Sequence, residues 1–295
     1  YYWGLEAIRA MEAWDATMGD ENVVIAVIDS GFDTDHPEFQ GKIVSTFNSY
    51  YGTSDVSATP ENAEHGTHVA AIAAGNAENG QGVCGVCPDC SLMLIRAADD
   101  QGWFDDASLI DGIFYAMDHG ARVANISVGQ DFGDLPDRWQ TMNPQERAQT
   151  HSRIVQQTKA EAEFWNSIFT QAASQGLIVV QATGNEALPC ELDPMKRVTM
   201  AINVGAVNEQ IERADFSNYG LATTVSAPGE RIYSAVPGAR SGYNDGTSMA
   251  SPMVAGAVGF LLSLRPSLSF QEVVNIFLTT GKSMANVRDE LYIGP

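Results

Sequence analysis

The stretch NVVIAVID, residues 22–29, decides the fold. Its apolar run is β-branched and does not alternate with polar residues. A strand that reads this way is buried on both faces, which is the habit of parallel sheets. The stretches SLMLIRA (91–97), ARVANISV (121–128) and GLIVVQAT (176–183) read alike. Helical patterns fall between them, at roughly 66–75, 106–119, 144–175, 247–264 and 269–280. Alternating strand and helix predicts a single α/β domain over residues 1–295, with a mainly parallel central sheet and helices on both faces. The polar stretch at about 131–160 interrupts the alternation and reads as a surface insertion, helical from Pro144 onward. Ligands of such sheets bind beyond the carboxyl ends of the strands. Asp29, Ser127 and Asn185 each follow an apolar run and fall at that edge.

Charge narrows the function. Sixteen Lys and Arg stand against 37 Asp and Glu, a formal net of −21. Nucleic acid and anionic membrane surfaces demand clustered cations, so neither is expected as a partner. No apolar run approaches the roughly 20 residues of a membrane span. The chain opens on YYWGLEAIRAMEAW without a signal peptide, so an export signal or an N-terminal pro-segment would precede Tyr1.

The stretch NDGTSMASPMVAG (244–256) places Ser248 just before Pro252 and an apolar helical repeat of Val254, Val258, Leu261 and Leu262. Proline is accepted near a helix start. Ser248 is therefore expected at a helix N-terminus, where free N–H groups favour developing negative charge. EHGTHVAAIAA (64–74) brings His65 and His68 near the start of another helix. Two histidines three apart suggest metal ligands, but no HExxH pattern and no nearby third ligand accompany them. AVIDSGFDTDHPEF (26–39) ends its apolar run at Asp29. A carboxylate, an imidazole and a hydroxyl compose a nucleophile system: His65 takes the Ser248 proton while Asp29 orients and charges the ring favourably.

VIDSG, HGTHVA and GTSMASPMVAG, in that order, resemble the three signature segments of the subtilisin-like serine proteases, the subtilase family. The resemblance implies that family's fold and a serine endopeptidase working through a Ser248 acyl-enzyme. VVQATGNEA (179–187) is similar to the family stretch carrying an oxyanion-hole asparagine, which implies that role for Asn185. NISVGQ (125–130) resembles the strand that pairs with extended substrate, so Ser127, Val128 and Gly129 are expected to line the pocket for the side chain before the cut. Asp100 and Gly102 are expected on the facing edge, and Leu192 and Asp193 on the pocket floor. Carboxylates at Asp99, Asp100, Asp105 and Asp106 raise the idea of a cleft favouring basic side chains; acid-rich solvated loops are the competing reading.

The same resemblance implies calcium at Glu38 and Asn79. Family habit implies export, although intracellular subtilases exist. The cysteines Cys84, Cys87, Cys90 and Cys190 allow three disulfide pairings and read as free or disulfide-bonded structural residues or, less readily, as a four-thiolate zinc site. The insertion is expected at the cleft rim, as a restrictor of substrates, a docking element or a passive helix. Two other functions remain beside hydrolysis: acyl transfer to an amine, as in peptide ligation or macrocyclisation, and a catalytically silent scaffold. The related sedolisins replace the histidine with glutamate, which His65 argues against.

Overall fold

A computed structural model describes residues 2–77, 79–80 and 82–282. Strands β1 (Val24–Asp29), β2 (Ile43–Asn48), β3 (Ser91–Arg96), β4 (Val123–Ile126), β5 (Ile178–Ala182), β6 (Ala201–Val207) and β7 (Val225–Pro228) form one sheet. Its order is β2-β3-β1-β4-β5-β6-β7, and every neighbouring pair is parallel. A separate antiparallel hairpin joins β8 (Ile232–Val236) to β9 (Arg240–Asn244).

The unbroken apolar character of β1 follows from its place. Ile25 and Val27 pack into the core on one face, Ala26 and Ile28 into the core on the other, and all four are fully buried. Each large side chain so buried contributes about 1.5–3 kcal/mol. Helices α1 (Trp3–Ala7), α2 (Ala10–Ala13) and α3 (Pro60–Ala74) precede α4 (Asp106–Asp118), α5 (Leu135–Thr141), α6 (Pro144–Gln157) and α7 (Lys159–Ser174). The last two are α8 (Thr247–Leu264) and α9 (Phe270–Thr280). Residues of α1, α3, α8 and α9 cover the first face, and those of α4 and α7 the second. This is the single α/β domain the alternation predicts.

Helix α8 runs along β4, β5, β6 and β7 and across α3. A Cβ at Gly256 would sit 2.7 Å from the Ala73 carbonyl oxygen, so the α3–α8 crossing demands glycine there. Among the described residues α8 is the one helix apolar and long enough to cross a membrane. It is 72% buried inside the domain, as a core helix is.

Some boundaries differ from the sequence reading. Helix α3 starts earlier than residue 66, because the Thr59 hydroxyl caps it and Pro60 takes its first position. The pattern at 144–175 divides at Thr158 into α6 and α7. The insertion gains α5, whose Leu135 and Trp139 stand one turn apart and meet Leu188 and Leu192 in a small separate core. Local pattern does not announce that contact. Cys87 and Cys90 are joined by a disulfide, while Cys84 and Cys190 are free.

Candidate active site

The sheet order makes β1, β4 and β5 neighbours, so Asp29, Ser127 and Asn185 gather at one carboxyl edge. Asp29 is fully buried there. Its Oδ1 lies 2.7 Å from His65 Nδ1, and accepts from the Ser30 N–H at 2.7 Å and hydroxyl at 3.2 Å. His65 stands near the start of α3, held close to β1 by Gly66. A Cβ at Gly66 would lie 2.3 Å from the Gly31 carbonyl oxygen, which explains the glycine between the two chemistry-bearing segments. The His65 side chain is 37% exposed while Asp29 is closed off. Burial acts to lower the His65 pKa, but the Asp29 charge and hydrogen bond outweigh it, and the net shift is upward.

Ser248 is the second residue of α8. Its hydroxyl donates to the Ser127 carbonyl at 3.3 Å, and the Ser127 hydroxyl donates to the Ser248 carbonyl at 3.1 Å. Pro252 is the sixth residue of α8, whose bounds are those the sequence predicts. Lacking an N–H, it leaves the carbonyl four residues back without its helical partner, and that carbonyl belongs to Ser248. The Ser127 hydroxyl supplies the missing donor. Asn125 extends the network: its amide donates to the Ser127 hydroxyl at 2.9 Å and its Oδ1 accepts from Ser251 at 2.7 Å.

Asn185 follows β5. Its Oδ1 accepts the Thr247 N–H at 2.8 Å and hydroxyl at 3.0 Å, which fixes the amide with Nδ2 on the opposite side. A Cβ built on Gly246 would lie 3.4 Å from that Nδ2 and 3.5 Å from the Ser248 nitrogen, so the two donors share one neighbourhood. Glu186 and Asn218 brace it: Glu186 Oε2 accepts the Asn185 N–H at 3.0 Å and the Asn218 amide at 2.8 Å.

The residues expected at the cleft walls differ in exposure. Gly129 is exposed, and a Cβ there would meet only the Gly184 Cα, at 3.9 Å. Val128 is half-buried. On the facing side the Asp100 carbonyl accepts from Asn62 of α3 at 3.0 Å, and Gly102 packs on the same Asn62. Leu192 and Asp193, expected on the pocket floor, are both buried. Leu192 is sealed in the small core with Trp139, and Asp193 lies 3.7 Å from the wholly buried ammonium of Lys196. Lys196 in turn donates to Gln181 Oε1 at 3.1 Å and to the Val128 carbonyl, just past the end of β4, at 3.3 Å. Three of the four carboxylates behind the basic-preference idea are engaged within the chain. Asp100 pairs with Arg96 at 2.7 Å, Asp99 accepts the N–H groups of Gln101 and Trp103, and Asp105 caps α4. Sequence reasoning missed Lys196, Glu186, Asn218 and Ser30, whose only signal was polarity beside apolar runs.

Glu38 is buried, with Oε1 accepting the Val83 N–H at 3.0 Å and the Asn79 side chain also bonded to the carboxylate; Oε2 has no hydrogen-bond partner. The Tyr2 hydroxyl donates to the neighbouring Gly82 carbonyl at 2.7 Å. Among the described residues no group of three or more His, Cys, Asp or Glu side chains could hold a metal ion. The four-thiolate zinc idea is corrected: Cys87 and Cys90 are bonded to each other, and Cys190 lies against Thr223.

The subtilase family profile matches residues 20–292. The chain belongs to the subtilase family. It carries that family's serine-endopeptidase domain. It is 35% identical over 263 residues to the thermophilic serine proteinase of Bacillus sp. (strain AK1), covering 89% of this chain and 58% of that protein. Thermitase of Thermoactinomyces vulgaris is 33% identical over 90% of this chain and 84% of its own length. An intracellular serine protease of Paenibacillus polymyxa is 32% identical over 88% of the chain and 72% of its own. A solved cold-adapted subtilisin-like serine proteinase superposes with a TM-score of 0.71 at 24% identity, over 92% of this chain and 86% of that one, which shows the shared fold.

Proposed function

We propose that this subtilase domain hydrolyses peptide bonds with Asp29, His65 and Ser248 as its triad and Asn185 as an oxyanion donor. The observation that carries the reading is the 2.7 Å Asp29–His65 hydrogen bond at the same sheet edge as Ser248 and Asn185. His65 takes the Ser248 proton as Oγ bonds to the substrate carbonyl carbon. The Asn185 amide and the Ser248 N–H receive the developing oxyanion. His65 then returns the proton to the departing amine as the C–N bond breaks, and water cleaves the acyl-enzyme by the same route reversed. A side-chain donor of the Asn185 kind contributes on the order of 3–4 kcal/mol, a magnitude known from subtilisin itself.

Substrate lies extended between the Ser127–Gly129 segment after β4 and the Asp100–Gly102 edge, in the manner of an added strand. Lys196 matches the Asp193 charge from within, so the pocket favours apolar over basic side chains before the scissile bond. The other readings of the sequence, acyl transfer and a silent scaffold, draw no support from relatives named as proteinases. A pro-segment as folding partner and inhibitor is part of the proposal. So is an extracytoplasmic location, which the Cys87–Cys90 disulfide supports because such bonds persist in oxidising compartments.

For calcium, the orphaned Glu38 Oε2 beside Asn79 fits a hard cation seeking oxygen donors. Glu38 and Asn79 would hold it. Such an ion would tie the loop after α3 to the segment before β2.

Labelling with a serine-directed phosphonate, together with peptide cleavage profiling of wild type and Ser248→Ala, tests the proposal. Stoichiometric labelling and cleavage, both lost in the variant, are expected. A folded wild type that stays unlabelled and cleaves nothing overturns it, and so does better cleavage after Arg than after Leu for the pocket.

A further inference from the structure

We infer that the insertion at 131–160 positions the substrate cleft, acting as a buttress that sets primary specificity; this rests on the peptidase reading above. The link is the segment 185–197, which has two working sides. Its inner side carries Asn185 and the Lys196 ammonium that holds the Val128 carbonyl at 3.3 Å. Its outer side carries Leu188 and Leu192, both fully buried against Leu135 and Trp139 of α5.

Polar contacts fasten the same joint. The Trp139 indole N–H donates to the Tyr219 hydroxyl at 3.3 Å. The Tyr219 backbone brackets the segment, donating its N–H to the Leu188 carbonyl at 3.0 Å and accepting the Cys190 N–H at 2.6 Å. At the far end, Arg197 reaches out to the α6–α7 junction, donating to the Val155 carbonyl at 2.9 Å and the Thr158 carbonyl at 3.0 Å.

A connection built only of two 3-10 turns, Cys190–Leu192 and Pro194–Arg197, has little order of its own. Its apolar side chains gain order by burial against the insertion. Fixing the outer side therefore fixes the inner one, and with it the wall of the pocket. Displacements well under an ångström at such walls are felt in rate and selectivity. Trp139 and Arg197 are thus positioning residues, remote from the reacting atoms.

The test measures kcat/KM on peptides that differ only in Leu, Phe, Ala or Arg before the bond, normalised by phosphonate active-site titration. The variants are Trp139→Ala, Trp139→Phe and Arg197→Gln. The preference for Leu and Phe over Ala is expected to fall about tenfold in Trp139→Ala, the scale of a disturbed apolar pocket, and to recover in Trp139→Phe. Arg197→Gln removes no core volume and is expected to show a smaller fall in the same ratio; it decides the matter if Trp139→Ala does not fold. Ratios that stay at the wild-type value in titratable variants, with only the melting temperature lowered, overturn the inference. A wild type that does not titrate at all fails the peptidase reading instead, and the two failures are told apart by that titration.

Discussion

Ser127 and Ser248 exchange hydroxyl-to-carbonyl hydrogen bonds, 3.1 Å one way and 3.3 Å the other. The exchange ties the segment after β4 to the first turn of α8. It exists because Pro252 withdraws the N–H that would otherwise serve the Ser248 carbonyl.

That origin makes a double-mutant cycle informative. Ser127→Ala leaves the buried carbonyl without a donor and is expected to cost about 1–3 kcal/mol. Pro252→Ala restores the helical N–H. The double variant is expected to be less destabilised than the sum of the singles, by urea unfolding in a Ser248→Ala background that prevents self-cleavage. Strict additivity would separate Pro252 from the exchange.

Asp29 holds the His65 pKa above its ordinary value of 6.5. Catalysis requires the neutral ring, so the acid limb of kcat/KM is expected above that value. Asp29→Asn removes the charge, moves the limb to lower pH, and lowers kcat by about 10⁴, the cost known for this change in another serine protease. A limb that stays in place under the substitution would assign it to another group.

Lys196 is wholly buried, and burial lowers its pKa against the pull of Asp193. Lys196→Met strands the Asp193 carboxylate and is expected to destabilise by about 3–5 kcal/mol, while the double variant Lys196→Met with Asp193→Asn recovers much of the loss. Equilibrium unfolding of the three chains measures it.

His68 is fully buried against the β8–β9 hairpin, near the Gly242 carbonyl at 3.3 Å, with Nδ1 unpartnered. Desolvation lowers its pKa from 6.5 to about 4. The unfolded state therefore binds more protons between those values, and stability is full above pH 6.5 and lost as pH falls towards 4. By linkage the loss attributable to this ring reaches about 3 kcal/mol. The stability difference between wild type and His68→Asn, followed from pH 7.5 down to about 4.5, is expected to shrink across that window.

Glu38 gives a cation prediction. Chelation is expected to lower the melting temperature by several degrees, and Glu38→Gln to abolish that sensitivity. A melting temperature indifferent to chelator and to added calcium would remove the site.

Much of this was legible in the sequence, for a physical reason. Strands β1, β3, β4 and β5 lie inside the sheet, so burial on both faces imposes continuous apolar runs. Edge strand β2 escaped notice because it is partly exposed: Val44 stands at 56%. Asp29, His65, Ser248 and Asn185 stand out as candidates through their flanking patterns. The surroundings of Leu192 and Lys196 were not legible, because Leu192 meets α5 and Lys196 meets Gln181 of β5 and the Val128 carbonyl, partners brought near only by folding. Asn125, Gln181 and Asn203, each the one polar residue inside an apolar run, were the visible trace of the buried network.

Helix α8 carries Ser248 in its first turn and runs on through the central core as one element. The domain therefore has no way to melt its interior while keeping a competent serine. Heat inactivation and loss of tertiary structure should trace a single curve, and turnover becomes a direct gauge of how much of the population is folded.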